Sequence, residues 1–278
     1  MIDGVDADAL LEIPLVGLGF REPLADWILS MPEEIDCLEL TAEHFFDHGE
    51  DLLEKLRDLY PLSVHGLGLS LGTPGAIDQE TLNQFQRVAD VANARWISEH
   101  IAFTKTEDVD LGHLNPVPLT RKSLKVLVDH ARQVMDVCQR PLILENITSY
   151  LRLPEELLEA DFINQLCQQA GAGLLLDVTN LYINSCNHRF DALEWLHRLE
   201  PSVIKQLHIV GYSYHDGVWH DRHCEPIQDE LLELAAQVVS YAPVESIIIE
   251  RDGVLQPVSE LELELQRVED VCETARCS

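Results

Sequence analysis

The sequence predicts an α/β protein built as a single (β/α)8 TIM-like barrel. Three observations support this prediction. The length of 278 residues suits one barrel, eight short apolar runs read as strands, and amphipathic segments lie between the runs. Strands that alternate with helices are typical of a parallel sheet. We expect one domain over residues 1–278, with a barrel core at about 15–252 and an acidic, helical C-terminal tail at 257–278.

Each predicted element rests on its own pattern. The predicted strands are rich in β-branched and other apolar residues, and in chain order they are 15–21, 35–41, 61–71, 95–103, 141–147, 173–183, 203–212 and 245–252. Helices are predicted where apolar residues recur at helical spacing, at 78–94, 121–139, 155–172, 189–201 and 227–243. A doubly wound open sheet is the alternative, but the sequence contains no GxGxxG or GxxxxGK[ST] phosphate loop.

The composition narrows the classes of partner and the compartment. Nineteen basic and forty-nine acidic residues give a net charge of −30, which would repel a phosphate backbone or an anionic membrane. We therefore expect no nucleic acid and no membrane as a partner. The acidic N-terminal stretch differs from a signal peptide, and seven cysteines without a CxxC pair indicate a reduced, cytoplasmic protein. An oligomer is compatible with the sequence, although no segment specifies an interface.

Histidines, acids and two asparagines follow the apolar runs where six successive predicted strands end. These residues are His65, Glu99, His100, Glu145, Asn146, Asp177, Asn180, His208 and Glu250. The segments NHRFD and DRHCEP add His188, Asp221 and His223. Because the active site of a TIM barrel lies at the carboxyl ends of its strands, we expect these side chains to converge there.

Converging acids and imidazoles predict a metal centre. Carboxylates that converge repel one another and lose solvation, so a cation is expected between them. Imidazole with carboxylate favours Fe, Mn or Zn, and the number of candidates exceeds the three or four protein ligands of one ion, which favours two or three ions. Taken singly, each residue has a simpler explanation, such as a helix cap or an ion pair with a neighbour. Glu250, for example, is followed by Arg251, which could neutralise it.

Nine short segments, in order, resemble the signature of the multinuclear non-heme iron-dependent oxidative enzymes, the family of the iron oxidase of methanobactin biosynthesis. The resemblance covers about Gly17 to Asp252, and the segments are VHGLGLSLG (64–72), SEH (98–100), NPVPLT (115–120), LENITSYL (144–151), LLDVTNLYIN (175–184), NHRFD (187–191), LHIVGY (207–212), DRHCEPI (221–227) and IIERD (248–252).

The resemblance implies a TIM-like barrel with two or three iron ions in mixed Fe(II) and Fe(III) states and with O2 as co-substrate. It also implies oxidation of cysteine residues in a ribosomally made precursor peptide, together with a small partner protein that recognises the leader of that peptide. The iron ligands implied by the matching motifs are His65, His100, Glu145, Asp177, His188, His208, Asp221, His223 and Glu250, with Asn180 as a further candidate. Of these, Glu145, Asp177 and His208 are assigned to the catalytic centre, with Glu145 as a carboxylate that bridges two irons.

Two further positions bear on the resemblance. Glu43 resembles an acidic position of the family beside the ligands, and an acid at the start of a helix is the alternative explanation. Tyr212 stands where many relatives have the second histidine of HLAGH. A phenol is a weaker ligand than an imidazole unless it is ionised, and its pKa is ordinarily about 10.

Other functions stay open on the sequence alone. A metal-dependent sugar isomerase or an endonuclease on the same barrel would share the ligand types, although the charge of −30 disfavours the endonuclease. A non-enzymatic metal-storage or metal-delivery protein would also use many carboxylates and histidines. Glu145 and Glu250 would suit a glycosidase pair, which leaves the histidines without a role. The segments 104–119 and 211–227 are predicted as long loops that hold a peptide substrate.

Overall fold

The structure is a computed structural model that describes residues 13–106, 109–252, 255 and 257–277. The strands within these residues are β1 Leu15–Gly19, β2 Cys37–Thr41, β3 Leu62–His65, β4 Ile97–His100, β5 Ala102–Lys105, β6 Asp110–Pro116, β7 Leu142–Glu145, β8 Gly173–Asp177, β9 Ile204–Ile209, β10 Gly211–His215, β11 Val218–Glu225 and β12 Ser246–Ile249. The helices are α1 Ala25–Ile28, α2 Glu50–Leu59, α3 Gln79–Val91, α4 Arg121–Cys138, α5 Glu159–Ala170, α6 Val178–His188, α7 Ala192–Leu196, α8 Asp229–Tyr241 and α9 Val258–Cys277.

Eight of the strands form a closed parallel barrel in the order β1-β12-β9-β8-β7-β4-β3-β2. The predicted α/β barrel is therefore confirmed, and each of the eight predicted strands contains one barrel strand. Seven of the eight predicted strands were too long at their carboxyl ends, whereas the second ends at Thr41 as predicted. The sixth, predicted to reach residue 183, ends at Asp177, because the Asp177 carboxylate accepts a hydrogen bond from the backbone N–H of Asn180 at 2.7 Å and so begins α6.

The two segments predicted as long loops each contain an antiparallel hairpin, so that prediction was wrong. Strands β5 and β6 pair in the first segment, whose residues 107–108 lie outside the described structure, and β10 and β11 pair in the second. Asp216 and Gly217 join β10 to β11 with positive φ angles of 52° and 84°. Both φ angles are positive in a type I′ turn, for which Asp-Gly is a strong sequence signal.

The chain divides into two compact units, and one of them is Leu40–Leu174. Its strands β3, β4 and β7 are buried along their whole length. The parallel register places His65 beside Ser98 and His100 beside Glu145. Helix α3 begins at the cap residue Asp78, whose carboxylate accepts a hydrogen bond from the Thr81 N–H. The register therefore brings chemically active side chains to neighbouring strand ends within this unit.

The other unit contains the described residues up to Glu39 together with those from Leu175 onward. Within it β1 pairs with β12, β12 pairs with β9, and His208 lies beside Ile248. Gly17 lets β1 approach β2 closely, because a Cβ atom at this position would lie 2.0 Å from the carbonyl oxygen of Cys37. Among the described residues, no helix is both long enough and apolar enough to cross a membrane.

Helix α9 is attached to this second unit by a buried ion pair. The guanidinium of Arg251, two residues beyond β12, contacts the carboxylate of Glu264 on α9, and both residues are buried. The other oxygen of Glu264 accepts a hydrogen bond from the Ile227 N–H at 2.7 Å. Arg251 is therefore the ion-pair partner of Glu264.

Candidate metal centre

The first cluster of possible ligands is His65, His100 and Glu145, which are the last residues of β3, β4 and β7. All three are buried, with exposures of 2%, 6% and 2%. One ligand atom from each lies within 4.8 Å of the others. The Nε2 atoms of His65 and His100 lie 3.4 Å and 3.2 Å from Oε2 of Glu145. Two imidazoles and one carboxylate therefore face a common point inside this unit.

Both histidines of the first cluster are held through the nitrogen that faces away from Glu145. Nδ1 of His65 lies 2.8 Å from the hydroxyl of Ser98, and Nδ1 of His100 lies 3.1 Å from a carboxylate oxygen of Glu99. The other oxygen of Glu99 accepts a hydrogen bond from the Leu69 N–H at 2.8 Å. Histidines that bind metals are commonly fixed in this way, because a partner on one ring nitrogen sets the orientation of the other.

The second cluster is Asp177, His208 and Glu250, which lie at the carboxyl ends of β8, β9 and β12. Asp177 and His208 are fully buried and Glu250 is 9% exposed. Nδ1 of His208 lies 3.2 Å from Oε2 of Glu250. The cluster thus places one imidazole beside two carboxylates. Because the carboxylates are buried, their negative charges repel each other and lack solvation, and a cation would stabilise them.

Sequence reasoning missed the residues that hold His208. Its Nε2 lies 2.7 Å from Oε1 of Glu39, and the side-chain amide of Gln206 donates to the other oxygen of Glu39 at 2.5 Å. Glu39 is 3% exposed and lies in the middle of β2. A glutamate inside an apolar strand such as CLELT was itself a signal, since glutamate is almost never fully buried without a partner.

A third group consists of His223, Glu250 and Asp252. Arg21, which the sequence analysis did not single out, donates from Nε to Asp252 at 2.5 Å and lies 3.7 Å from Glu250. Burial opposes protonation of His223, but the charge of Glu250 and the carboxylates of Asp221 and Asp252 raise the pKa of His223 to about 12. Without a metal, a protonated His223 and Arg21 supply positive charge to this group, and both also lie beside Glu250 of the second cluster. His223 would bind a cation only with loss of its proton.

The backbone of β11 turns His223 toward these acids. Between the pairs Gly211–Glu225 and Tyr212–Asp221 the register shifts, so that β11 bulges, and His223 has a positive φ of 52°. Its Nε2 lies 2.9 Å from Oδ2 of Asp221. The buried Oδ1 of Asp221 has no hydrogen-bond partner among the described residues, and an oxygen in that state suits coordination of a cation.

Three predicted ligands, Asn180, His188 and Asp221, belong to none of the three groups in the described residues. Only His, Cys, Asp and Glu side chains count as members of these groups. Asp221 is beside the third group through His223, and Asn180 lies in the first turn of α6 with its backbone N–H bonded to Asp177. His188 is the half-buried last residue of α6. The groups thus include His65, His100, Glu145, Asp177, His208, His223 and Glu250 of the predicted set.

Glu43 and Tyr212 have defined surroundings of their own. Glu43 lies in a 3₁₀ turn after β2, and its Oε1 accepts a hydrogen bond from the Leu67 N–H at 2.8 Å. Burial and the charge of Glu99 raise the pKa of Glu43 above its usual range. Tyr212 donates its hydroxyl proton to Glu230 on α8, and burial together with this bond raises its pKa above the ordinary value. A phenol held protonated in this way is a poor metal ligand.

The cysteines contribute little to the site. We call Cys138, Cys167 and Cys272 the buried thiols. Burial raises the pKa of each of them to about 12, so they stay protonated and unreactive. Cys186 and Cys224 are half-buried, and all of the cysteines whose side chains are described are free.

The ligand types of the first two clusters suit a first-row transition metal. Two histidines and one carboxylate, as in the first cluster, form the donor set typical of non-heme Fe(II) sites, whereas Ca²⁺ and Mg²⁺ prefer oxygen ligands alone. The second cluster adds a histidine and two carboxylates. None of the described groupings contains a cysteine. The residues therefore fit iron.

Comparison with known proteins gives a family and a fold. The family model described as RiPP precursor modification enzyme MbnB/TglH/ChrH matches residues 15–273, where RiPP denotes a ribosomally synthesised and post-translationally modified peptide. A UPF0276 protein of Chromobacterium violaceum is 32% identical over 92% of this chain and 94% of its own, and one of Pseudomonas aeruginosa is 34% identical over 92% and 91%.

The solved structures with a similar fold are distant in sequence. The 3-keto-D-glucoside 4-epimerase YcjR from E. coli has a TM-score of 0.60 at 13% identity and is covered over 92% of this chain and 99% of its own. Endonuclease IV from Thermus thermophilus has a TM-score of 0.61 at 14% identity, over 92% and 100%. At this level of identity, the likeness establishes the barrel fold alone.

Proposed function

The chain belongs to the MbnB/TglH/ChrH family of RiPP precursor modification enzymes, and from this premise we propose that it is a multinuclear non-heme iron oxidase. It would use O2 to oxidise cysteine residues of a ribosomally synthesised precursor peptide in the cytoplasm. The observation that carries this proposal is the first cluster, whose two histidines and one glutamate are the donor set of non-heme iron.

We assign one iron to the first cluster and one to the second, with the third group as a candidate for a further ion. Bound iron would supply the electron-transfer chemistry that protein side chains lack. Ser98 and Glu99 orient the histidines of the first cluster, and Glu39 orients His208 in the second. The burial of both clusters excludes bulk water from the ligands. His188, Asn180 and Asp221 remain proposed ligands.

We propose that the two hairpins contact the peptide. Strand β5 begins two residues after His100, and the β10–β11 hairpin carries Asp221 and His223. Each hairpin is thus connected directly to a proposed metal ligand of its own unit. Recognition of the peptide leader is assigned to a small partner protein, as the family resemblance implies. Loops on a rigid barrel are the usual place for substrate contacts.

Metal analysis and oxygen consumption test the proposal. The protein purified without added metal is expected to contain iron and to consume O2 only when a cysteine-containing precursor peptide is present. A sugar isomerase would instead turn over a sugar with Mn²⁺ or Mg²⁺, and a metal carrier would bind iron without consuming O2. Zinc as the sole bound metal, or no bound metal, would refute the oxidase.

A substitution tests the first cluster directly. Glu145→Gln is expected to lower the iron content while the fold is kept, because it removes the carboxylate that both histidines face. Glu43→Gln is the control, since Glu43 is a half-buried glutamate of the same unit and lies in none of the three ligand groups. Equal iron in Glu145→Gln and wild type would exclude Glu145 as a ligand.

A further inference from the structure

A half-open cavity lies beside the first cluster, within the unit Leu40–Leu174. Its volume is about 40 Å³, and since about 10–15 Å³ of such space holds one water, it has room for roughly three waters. Three waters occupy about as much liquid volume, roughly 90 Å³, as one aliphatic side chain. The apolar walls of the cavity include Ile101, Val117, Leu119, Ile147 and Ile163.

The cavity and the first cluster share the same strand ends. Ile101 directly follows the cluster residue His100, and Asn146, which also lines the cavity, directly follows Glu145. The Ile101 N–H donates to the carbonyl of Glu145 at 2.8 Å, which fixes these two chain segments against each other. Because consecutive Cα atoms are about 3.8 Å apart and successive side chains of a strand point to opposite faces, the cavity and the first cluster lie on the two faces of the same strand ends.

Exposed apolar residues adjoin the cavity lining in sequence, and we call the segment 149–161 that carries them the rim. Tyr150 and Leu151 follow the lining residue Ser149 and are 52% and 64% exposed, and Leu158 precedes the lining residue Glu159 and is 51% exposed. Three large apolar side chains exposed in one segment are unusual unless something covers them. The segment is held over the cavity, because the carbonyl of Leu119 accepts hydrogen bonds from the N–H groups of Glu156 and Leu157.

The rim is also acidic. Residues 149–161 contain four acids and one base, Arg152, while Arg121 and Lys122 follow the lining residue Leu119, so the acids around the cavity outnumber the bases by four to three. Glu159 lines the cavity itself. A ligand that suits both features carries an aliphatic group for the walls and a positive charge for the rim, since apolar walls with a few polar groups fix the orientation of a ligand.

We propose that this cavity is a specificity subsite for the precursor peptide, in which it binds an aliphatic side chain whose neighbouring residue is lysine or arginine. The inference rests on the proposed function, because it identifies the occupant as the peptide that is oxidised at the adjacent cluster. Because the cavity and the cluster share the same strand ends, we place the aliphatic residue within about three positions of the modified cysteine, at about 3.3–3.6 Å per extended residue.

Binding of small probes tests the subsite without the reaction. Ligand-observed NMR under nitrogen, on the protein as purified, would compare acetyl-Leu-Lys-amide with acetyl-Ala-Lys-amide and acetyl-Leu-Glu-amide. The leucine probe is expected to bind at least about tenfold more tightly than the alanine probe, since three fewer buried carbons lower affinity by roughly that factor or more. The Leu-Glu probe is expected to bind more weakly because of the acidic rim.

Variants locate the bound probe. Leu119→Trp fills the cavity from its half-buried rim and is expected to reduce the affinity for acetyl-Leu-Lys-amide to that for the alanine probe. Leu263→Trp makes the same change at an exposed position of α9 and is expected to leave binding unchanged. If circular dichroism shows that Leu119→Trp is unfolded, Ile163→Phe fills the cavity from its opposite side.

The outcomes separate this inference from the proposed function. Equal affinity for the leucine and alanine probes, or unchanged binding in a folded cavity-filling variant, would overturn the subsite even in a protein that contains iron and oxidises peptides. Conversely, suppose that the leucine probe binds more tightly than the alanine probe and that Leu119→Trp abolishes this preference. This result would support the subsite even if the purified protein held no iron.

Discussion

Substitution of Glu39 by glutamine should weaken metal binding at the second cluster without removing any ligand. Glu39 contacts Nε2 of His208 at 2.7 Å, and both residues are buried, at 3% and 0% exposure. A buried hydrogen bond to a charged group contributes about 1.5–3 kcal/mol, and a neutral one about 0.5–1.5 kcal/mol. Because glutamine replaces the charged partner by a neutral one, the difference between these two ranges, about 1–1.5 kcal/mol, is lost. This loss corresponds to roughly tenfold weaker metal binding, which is the lower end of the range of about 10–100-fold for residues that orient a ligand.

Anaerobic titration with Fe(II) against a coloured chelator would measure this effect. Glu99→Gln is the matched variant for the first cluster, because Glu99 holds His100 as Glu39 holds His208. In a His65→Ala background, which removes a residue found in the first cluster alone, the effect of Glu39→Gln should persist and that of Glu99→Gln should disappear. Wild-type affinity in Glu39→Gln, or loss of the same ion in both variants, would refute this account of the two clusters.

Three further predictions concern stability and reactivity. Arg251→Met leaves Glu264 buried and unpaired, so we expect a loss of about 3–5 kcal/mol in the free energy of unfolding by urea, largely recovered when Glu264→Leu is added. Tyr212→Phe should raise the pKa of Glu230, which the tyrosine hydroxyl now lowers, and a carboxyl NMR titration would measure this change. The stabilisation from this hydrogen bond is present above the unfolded pKa of the acid and is lost as pH falls through the folded pKa. The difference in the free energy of unfolding between wild type and variant should therefore disappear at low pH. The buried thiols should react with iodoacetamide at pH 8 much more slowly than the two half-buried cysteines, as read by mass spectrometry; equal rates would contradict the raised pKa values.

The fold and much of the site could be predicted because their signals are local in the chain. An apolar run followed by His or an acid indicates both a barrel strand and the end at which a candidate ligand lies, and β7 with Glu145 shows this in four residues. The strand ends were placed too far along because hydrophobicity continues into the next element. After Asp177, for example, the apolar residues belong to α6, and only the side-chain cap ends the strand.

The partners of the ligands could not be predicted because they are distant in sequence. Gln206 and Glu39 are separated by 167 positions, and Arg21 and Asp252 by 231. No pattern in a single sequence reports such pairs, although a glutamate within a buried strand indicates that a partner exists. The β10–β11 hairpin is a different case, since its Asp-Gly turn was visible in the sequence and was overlooked.

The ion pair between Arg251 and Glu264 has a practical consequence for handling this protein. Glu250 and Arg251 are consecutive, yet the first belongs to the second cluster and the second is bound to α9. Removal of the C-terminal helix by a protease, or its disturbance by a purification tag, would expose Arg251 and disturb its neighbour in the ligand set. Preparations that lack α9 would therefore be expected to bind metal more weakly at the second cluster, and an N-terminal tag is the safer choice for measuring metal content.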